Sequence, residues 1–544
     1  MEATYSSKRL DHLGLVAGIC QELGIAKTID NLLPNESADK IVSTGTGVIA
    51  MLLNGLGFVN KRLYLVKDFF EGKPLDKLLG VSYLKPEHLN DDALGRCLDS
   101  LDSYGVDTLF SLLSQDAISY LSAHYELSLG GMQLDNTTFS LYSGEKELME
   151  SGVSILEITQ GYSKDHRPDL VQIGLQLIVE SKSRIPLLMR ALSGNKEEGK
   201  SYGEVIEAHI GQLQMAYPGI PLIGDSKMYT QENLSYMSNH PDLYWISRVP
   251  ASLSEVKELT QHIQKSQLQA VENHPGYSYT EIGRYYGGVK QKWLILFSES
   301  LYKSNLAQLD KKYAKSLQKE KKAFEQLSRQ KFSCMEDGQK AVEKLKKSFI
   351  YSYLEDIEFL PKYTYAKKGK PAKGDKPLKT DYYLRASLAT NEQIYEQEKS
   401  ALGYFILASN QLTVDVSQIL SSYKDQSVAE KSFRFLKDPK IVASSFFVQK
   451  PERIRALLFI MTLCLLVYAV LEYKIRAELV KQEQSVEDRL GKPTQSPTLR
   501  WVFEYFEGIE LLYENQKLKS VLNLKPKHKK VLDLLGDKYW HFYT

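Results

Sequence analysis

Apolar residues recur at helical spacing through the first 125 residues, in HLGLVAGICQELGI, VIAMLLNGLGF and ALGRCLDSLDSYGVDTLFSLLSQDAISYL. This spacing predicts a helical N-terminal region. Asn90, Asp91 and Asp92 stand directly before one of these runs and read as a helix N-cap rather than as paired carboxylates. At residue 128 the period changes. LSLGGMQLDNTTFSLYSG alternates in the manner of a strand, and the β-rich runs DLVQIGLQLIVE and IPLLMRAL follow. A helical pattern (YGEVIEAHIGQLQMAY), a short apolar strand (IPLIGD), a second helix (TQENLSYMSN) and another strand (LYWISRV) complete the succession. Strands followed by alternating helix and strand predict a mixed sheet with helices packed on it.

Residues 251–400 interrupt this order with a strand pair around GRYYGGVKQKWLILFS, a Lys-rich helical stretch, and the β-prone IYSYLEDIEF and DYYLRASLA. ALGYFILASN then resumes the sheet pattern. The expected organisation is a helical region at 1–125, an α/β core at 126–250, an insertion at 251–400, the rest of the core at 401–480 and a helical C-terminal region at 481–544. Leu457 to Leu471 form an apolar run of fifteen residues. A membrane span needs roughly 20 such residues, so the run reads as a buried core helix and no membrane partner is expected.

Composition adds three points. The apolar fraction of 43% and charged fraction of 25% are those of a folded globular protein. A net charge of only +2 conceals a basic segment: between 301 and 380, Lys and Arg outnumber Asp and Glu about two to one, in runs such as KSLQKEKKAF and YAKKGKPAKGDKPLK. Such a field attracts polyanions. The four cysteines, Cys20, Cys97, Cys334 and Cys464, fit neither a zinc pattern nor a disulfide framework. With no signal-peptide pattern in MEATYSSKRLDHLGLV, a cytoplasmic location is expected.

Three acidic residues stand out by setting. Asp135 lies inside a strand pattern, where a carboxylate must be solvated, paired or bound to a cation. Asp225 directly follows the apolar strand IPLIG, at the carboxyl end where open α/β sheets place their ligands. Glu430 lies in YKDQSVAEKSFRFLK. At roughly 100° per helical residue, offsets of seven and fourteen fall within about 40°, so Tyr423, Glu430 and Lys437 are expected on one stripe of a single helix, with Gln426 beside them. A strand Asp, a strand-end Asp and a helix Glu supply three hard oxygen ligands suited to Mg²⁺ or Mn²⁺.

The order and setting of these residues resemble the RNase H-like core of DDE transposases. YKDQSVAEKSFRFLK resembles the Tyr-Arg-Glu-Lys signature of one large bacterial insertion-sequence group, with Gln426 where that group has arginine. LNGLGF, LNDDALGRCLD, GYSKDHRPDL, GDSKMYTQENL, FRFLKDP and KPERIRALLFI also resemble one branch of these transposases. The resemblance implies an RNase H-like mixed sheet with an insertion between the second Asp and the Glu. It implies that Asp135, Asp225 and Glu430 hold two Mg²⁺ or Mn²⁺ ions, and that Tyr423, Gln426 and Lys437 grip DNA phosphates. The implied activity is cutting at element ends and joining them to target DNA, by a homodimer on double-stranded DNA. A decayed DNA-end-binding relative and a structure-selective nuclease on the same core are the alternatives. Asp165, His166 and Asp169 in GYSKDHRPD form a rival ligand set, set against a rigid turn around Arg-Pro. Trp293 and Tyr285 are candidates for base stacking, with hairpin packing the simpler reading.

Overall fold

The computed structural model describes residues 4–33, 40–57, 66–141, 156–161, 167, 169–240, 242–366, 376–438 and 450–544. The chain divides into two compact units: Met1–Ser247, Tyr285–Lys290 and Ser409–Thr544 form the first, and Arg248–Arg284 with Gln291–Ala408 the second. The sequence predicts an insertion at 251–400; the second unit begins at Arg248, ends at Ala408 and leaves out Tyr285–Lys290.

The first unit opens with a strand, β1 (Tyr5–Arg9), followed by α1 (Leu13–Glu22), α2 (Ile25–Leu32), α3 (Thr44–Leu56), the short α4 (Val66–Phe70) and α5 (Leu75–Leu79), α6 (Asp91–Tyr104) and α7 (Val106–His124). The strand departs from the all-helical expectation. It pairs antiparallel with residues 510–514 at the far end of the chain, a partner that local periodicity could not reveal. Asn90 caps α6 by accepting from the Ala93 N–H at 2.9 Å, as the sequence predicts.

The core follows in the predicted succession: β2 (Met132–Leu141), β3 (Val171–Glu180), β4 (Pro186–Ser193), α8 (Glu198–Ala216), β5 (Leu222–Gly224), α9 (Gln231–Ser238) and β6 (Trp245–Arg248). The order across the sheet is β4-β3-β2-β5-β6. β2, β3 and β4 run antiparallel, whereas β2–β5 and β5–β6 are parallel. Every residue of β3 is buried, which explains its near-continuous apolar run.

The second unit contains α10 (Ser254–His262), β7 (Gln269–Ala270), β8 (Tyr277–Tyr286), β9 (Val289–Ser298), the 30-residue α11 (Glu299–Ser328), α12 (Met335–Lys346), β10 (Ser352–Thr364), β11 (Lys379–Thr390), α13 (Glu392–Ser400) and β12 (Tyr404–Ser409). Strand order is β12-β9-β8-β7, with β10 and β11 forming a separate ribbon. Trp293 is fully buried and its Nε1 donates to Gln291 at 3.1 Å, so hairpin packing accounts for it. The β8–β9 tip groups with the first unit, where Tyr286 stacks on Tyr229 at 5.5 Å. Lys367, Lys368, Lys370 and Lys373 lie outside the described residues.

The first unit then resumes with α14 (Val416–Lys424), α15 (Ser427–Leu436), α16 (Pro451–Lys481), the two-residue β13 (Val486–Glu487) and β14 (Pro493–Thr494), α17 (Leu499–Tyr505), β15 (Glu510–Glu514), β16 (Lys517–Leu522), α18 (Pro526–Leu535) and α19 (Asp537–Trp540). The C-terminal region is therefore not wholly helical, because β15 and β16 form a hairpin that receives β1. α16 is apolar and long enough to cross a membrane, and most of its apolar stretch is buried inside the protein. A helix apolar on all sides belongs at the centre of a fold. It packs against α1, α3, α6, α7 and β4. Its charges are paired: Arg453 forks onto Asp99 (2.7 and 2.7 Å), Arg455 onto Asp102 (2.5 and 2.7 Å), and Lys474 reaches Glu22 at 2.5 Å. The two arginines of KPERIRALLFI thus anchor α16 to α6, the helix of LNDDALGRCLD. All four cysteines are free thiols.

Candidate active site

The last register pair between the parallel strands β2 and β5 is Leu134 with Gly224. Asp135 and Asp225 are the next residues on each strand, and neighbouring strands lie roughly 4.8 Å apart. The two carboxylates therefore start from adjacent backbone positions at the point where β5 ends and β2 continues. One oxygen of each is oriented by a backbone N–H: Asn136 N donates to Asp135 Oδ1 at 2.7 Å, and Lys227 N donates to Asp225 Oδ1 at 2.9 Å. The turn after β5 is fixed by Ser247 Oγ and Met228 N, which donate to the Asp225 carbonyl at 2.9 and 3.1 Å.

Two further residues border this pair, and neither was singled out in the sequence. The start of α8 lies between β2 and the turn after Asp225, with Asn136 Nδ2 donating to Ser201 Oγ at 2.8 Å and Gly199 close to the Lys227 carbonyl. Tyr202, next to Ser201, is wholly buried. Burial raises its hydroxyl well above the usual tyrosine range, reinforced by the charges of Asp135, Asp225 and Glu198. It is consequently a neutral donor facing the carboxylate pair. In SYGEVIEAHIG the tyrosine reads as an ordinary core aromatic, and only the tertiary fold brings it and Glu198 to the site.

Glu430 is exposed on α15, which packs on β2 and β3 through a buried face of Val428, Ala429, Ser432, Phe433 and Leu436. Side chains alternate along a strand, so Gln133, Asp135 and Phe139 share one side of β2. Gln133 Nε2 donates to the Ser422 carbonyl at 2.9 Å, and Lys437 Nζ lies 5.6 Å from the Phe139 ring. The signature segment therefore crosses the face of β2 that carries Asp135. Among the described residues, no group of three or more His, Cys, Asp or Glu side chains is gathered closely enough to hold a metal ion. The fold brings Asp135 and Asp225 together and leaves Glu430 on the overlying helix.

The single helical stripe expected for Tyr423, Gln426, Glu430 and Lys437 is corrected. Tyr423 lies in the last turn of α14, Gln426 is the N-cap of α15, and Lys437 is its C-cap. The interruption coincides with a tertiary contact: the Ser422 carbonyl accepts from Gln133, and the N–H groups of Gln426, Val428 and Ala429 bond three residues back, to Tyr423, Asp425 and Gln426. This tighter winding rotates the following residues relative to an unbroken α-helix. In the rival motif, Asp165 and His166 lie outside the described residues. Asp169 is exposed and held in a fork by Arg167 at 2.9 and 2.7 Å, which favours the rigid-turn reading.

A family model described as a Domain of unknown function (DUF4277) matches residues 5–115. No curated protein matches the chain. A solved structure titled "Cryo-EM structure of piggyBac transposase synaptic complex with hairpin DNA (SNHP)" is similar with a TM-score of 0.37 and 11% identity, over 92% of this chain and 82% of that one. The family model ends before β2, so the elements that carry Asp135, Asp225 and Glu430 lie outside it.

Proposed function

We propose that this chain is a divalent-metal-dependent DNA transposase, which cuts DNA at element ends and joins those ends to target DNA. The observation that carries the reading is the placement of Asp135 and Asp225 one step beyond the last pair of two adjacent parallel strands. A mixed sheet with these acids on neighbouring strands, interrupted by a second unit before the helix that bears Glu430, supports an RNase H-like core.

The donor set fits a hard cation: two side-by-side carboxylates, each with one oxygen oriented by a backbone N–H. In this reading Asp135, Asp225 and Glu430 hold two Mg²⁺ or Mn²⁺ ions. When bound, such ions supply Lewis-acid activation of a phosphodiester. The neutral hydroxyl of Tyr202 stands beside the carboxylate pair and is available to it as a donor. Tyr423, Gln426 and Lys437 bind phosphates beside the cleaved bond; Gln426 offers a hydrogen bond without charge, a weaker grip than arginine's fork. Two DNA ends are handled together by a dimer.

The test incubates the protein with Mn²⁺ and a linear fragment carrying the ends of its own element, beside Asp225→Asn and Glu430→Gln variants. The parent is expected to cut and join. Both variants should keep end binding, which depends on phosphate and base contacts elsewhere, and lose both chemical steps by orders of magnitude. A folded Glu430→Gln protein that cuts at the parental rate would remove Glu430 from the site. Cutting without joining by the parent would identify a nuclease, and binding without cutting a decayed end-binding relative.

A further inference from the structure

The second unit carries a surface that the proposed chemistry does not use. α11 has 30 residues and is about 45 Å long at 1.5 Å per residue. Lys311, Lys315, Lys322 and Arg329 are all exposed and lie within about 40° of one another around the helix. They extend over about 27 Å. Two acids of the same helix are used internally. Asp310 accepts from Tyr395 Oη at 2.7 Å, and the buried Glu320 accepts from Ser316 Oγ at 2.8 Å and from Ile350 N at 2.9 Å. Glu325 is the acid at the margin of the stripe.

From Lys311 to Lys319 this segregation is unlike an ordinary solvated helix, where Glu and Lys four residues apart neutralise one another; farther along, Glu325 stands four residues before Arg329. Here Lys311 and Lys315, and Lys315 and Lys319, are like charges at that spacing, an arrangement that destabilises an isolated helix. An external polyanion would relieve this repulsion. We propose that the outer face of α11 binds the phosphate backbone of double-stranded DNA, independently of sequence. A rigid row of cations suits a polymer with a phosphate every 3.4 Å or so along each strand. A membrane surface is disfavoured, because the intervening positions on this face are Ser304, Gln308 and Gln318, with no apolar side chain to enter the acyl boundary. The choice of DNA rests on the transposase reading, whereas the surface itself rests on the charge distribution.

The test measures binding of the full chain to a 5′-labelled duplex of about 40 base pairs of unrelated sequence, by anisotropy between about 50 and 200 mM salt. The variant carries Lys311→Gln, Lys315→Gln, Lys322→Gln and Arg329→Gln, with the helix content checked by circular dichroism. Each phosphate contact contributes about 0.9 to the slope of log affinity against log salt, so loss of two to four contacts should flatten it by about 2 to 3.5. Low-salt affinity should fall at least tenfold. A control with Lys340→Gln, Lys344→Gln and Lys347→Gln on and beside α12, where Glu336 and Glu343 are interspersed, removes similar charge and should leave the slope nearly intact. If the first variant does not fold, Lys315→Glu with Lys322→Glu replaces it, with the same expectation. An unchanged slope, or an equal loss in the control, would overturn the proposal. So would α11-dependent binding to vesicles of phosphatidylcholine and phosphatidylserine with DNA binding unaffected. No cleavage is required in this assay, so a protein that binds through α11 and never cuts would remove the transposase reading and leave this surface standing.

Discussion

Glu22→Gln perturbs a charge cluster whose ion pair is largely shielded from water within the first unit. Oε2 of Glu22 accepts from Lys474 Nζ at 2.5 Å, Tyr539 Oη at 2.7 Å and Tyr120 Oη at 2.9 Å. One carboxylate thereby ties α1 to α16, α19 and α7. The Lys474 and Glu22 side chains are only 5% and 8% exposed. Glutamine keeps the size and an acceptor for the tyrosines but removes the charge facing Lys474. Breaking a buried pair by removing one partner costs about 3–5 kcal/mol, a large share of an ordinary stability of roughly 5–15 kcal/mol. Burial already lowers the Lys474 pKa, while Glu22 raises it back. Without Glu22 the folded-state value falls further below that of the unfolded chain, which then binds more protons than the folded one. Stability of the variant must therefore rise with pH between that depressed value and about 10, so its deficit should narrow from pH 7 to 9.5. Urea unfolding followed by far-UV circular dichroism and by tryptophan fluorescence, with Trp540 adjoining Tyr539, measures both effects. Glu22→Gln with Lys474→Met removes both charges and should restore most of the loss. A single variant within about 1 kcal/mol of the parent at pH 7 would refute the reasoning.

Three further outcomes are expected. Tyr202→Phe should leave DNA binding and fold intact but raise the Mn²⁺ concentration for half-maximal cleavage several-fold, because the carboxylate pair loses its neighbouring polar hydroxyl; an unshifted metal titration would assign Tyr202 to packing alone. Gly45→Ala should destabilise the helical region by about 3 kcal/mol in urea unfolding, because its new Cβ would stand 2.3 Å from the Ala26 carbonyl oxygen; an unchanged midpoint would mean that α2 and α3 separate freely. Gln426→Arg should increase end cleavage at limiting protein by adding a bidentate phosphate donor, and unchanged or poorer cleavage would show a site adapted around glutamine.

Periodicity alone disclosed the strand, helix and strand succession from β2 to β6, the cap at Asn90 and the buried role of Leu457–Leu471. Each follows from which face of a local element must leave water, and that information lies within a dozen consecutive residues. Asp135 and Asp225 stood out for a related reason, since a carboxylate in or directly after an apolar strand has few inexpensive environments; that their strands are neighbours is a tertiary fact. Contacts between distant segments were not legible. β1 finds β15 from the opposite end of the chain. Tyr202 and Glu198 reach the carboxylates only because α8 starts beside the turn after β5. Gln133 takes the Ser422 carbonyl beside the break in a segment whose own sequence reads as one continuous helix. The sequence carried the periods and the chemical types; the tertiary structure decided which backbone groups were claimed by side chains from elsewhere, because hydrogen bonds between distant residues leave no periodic trace in either.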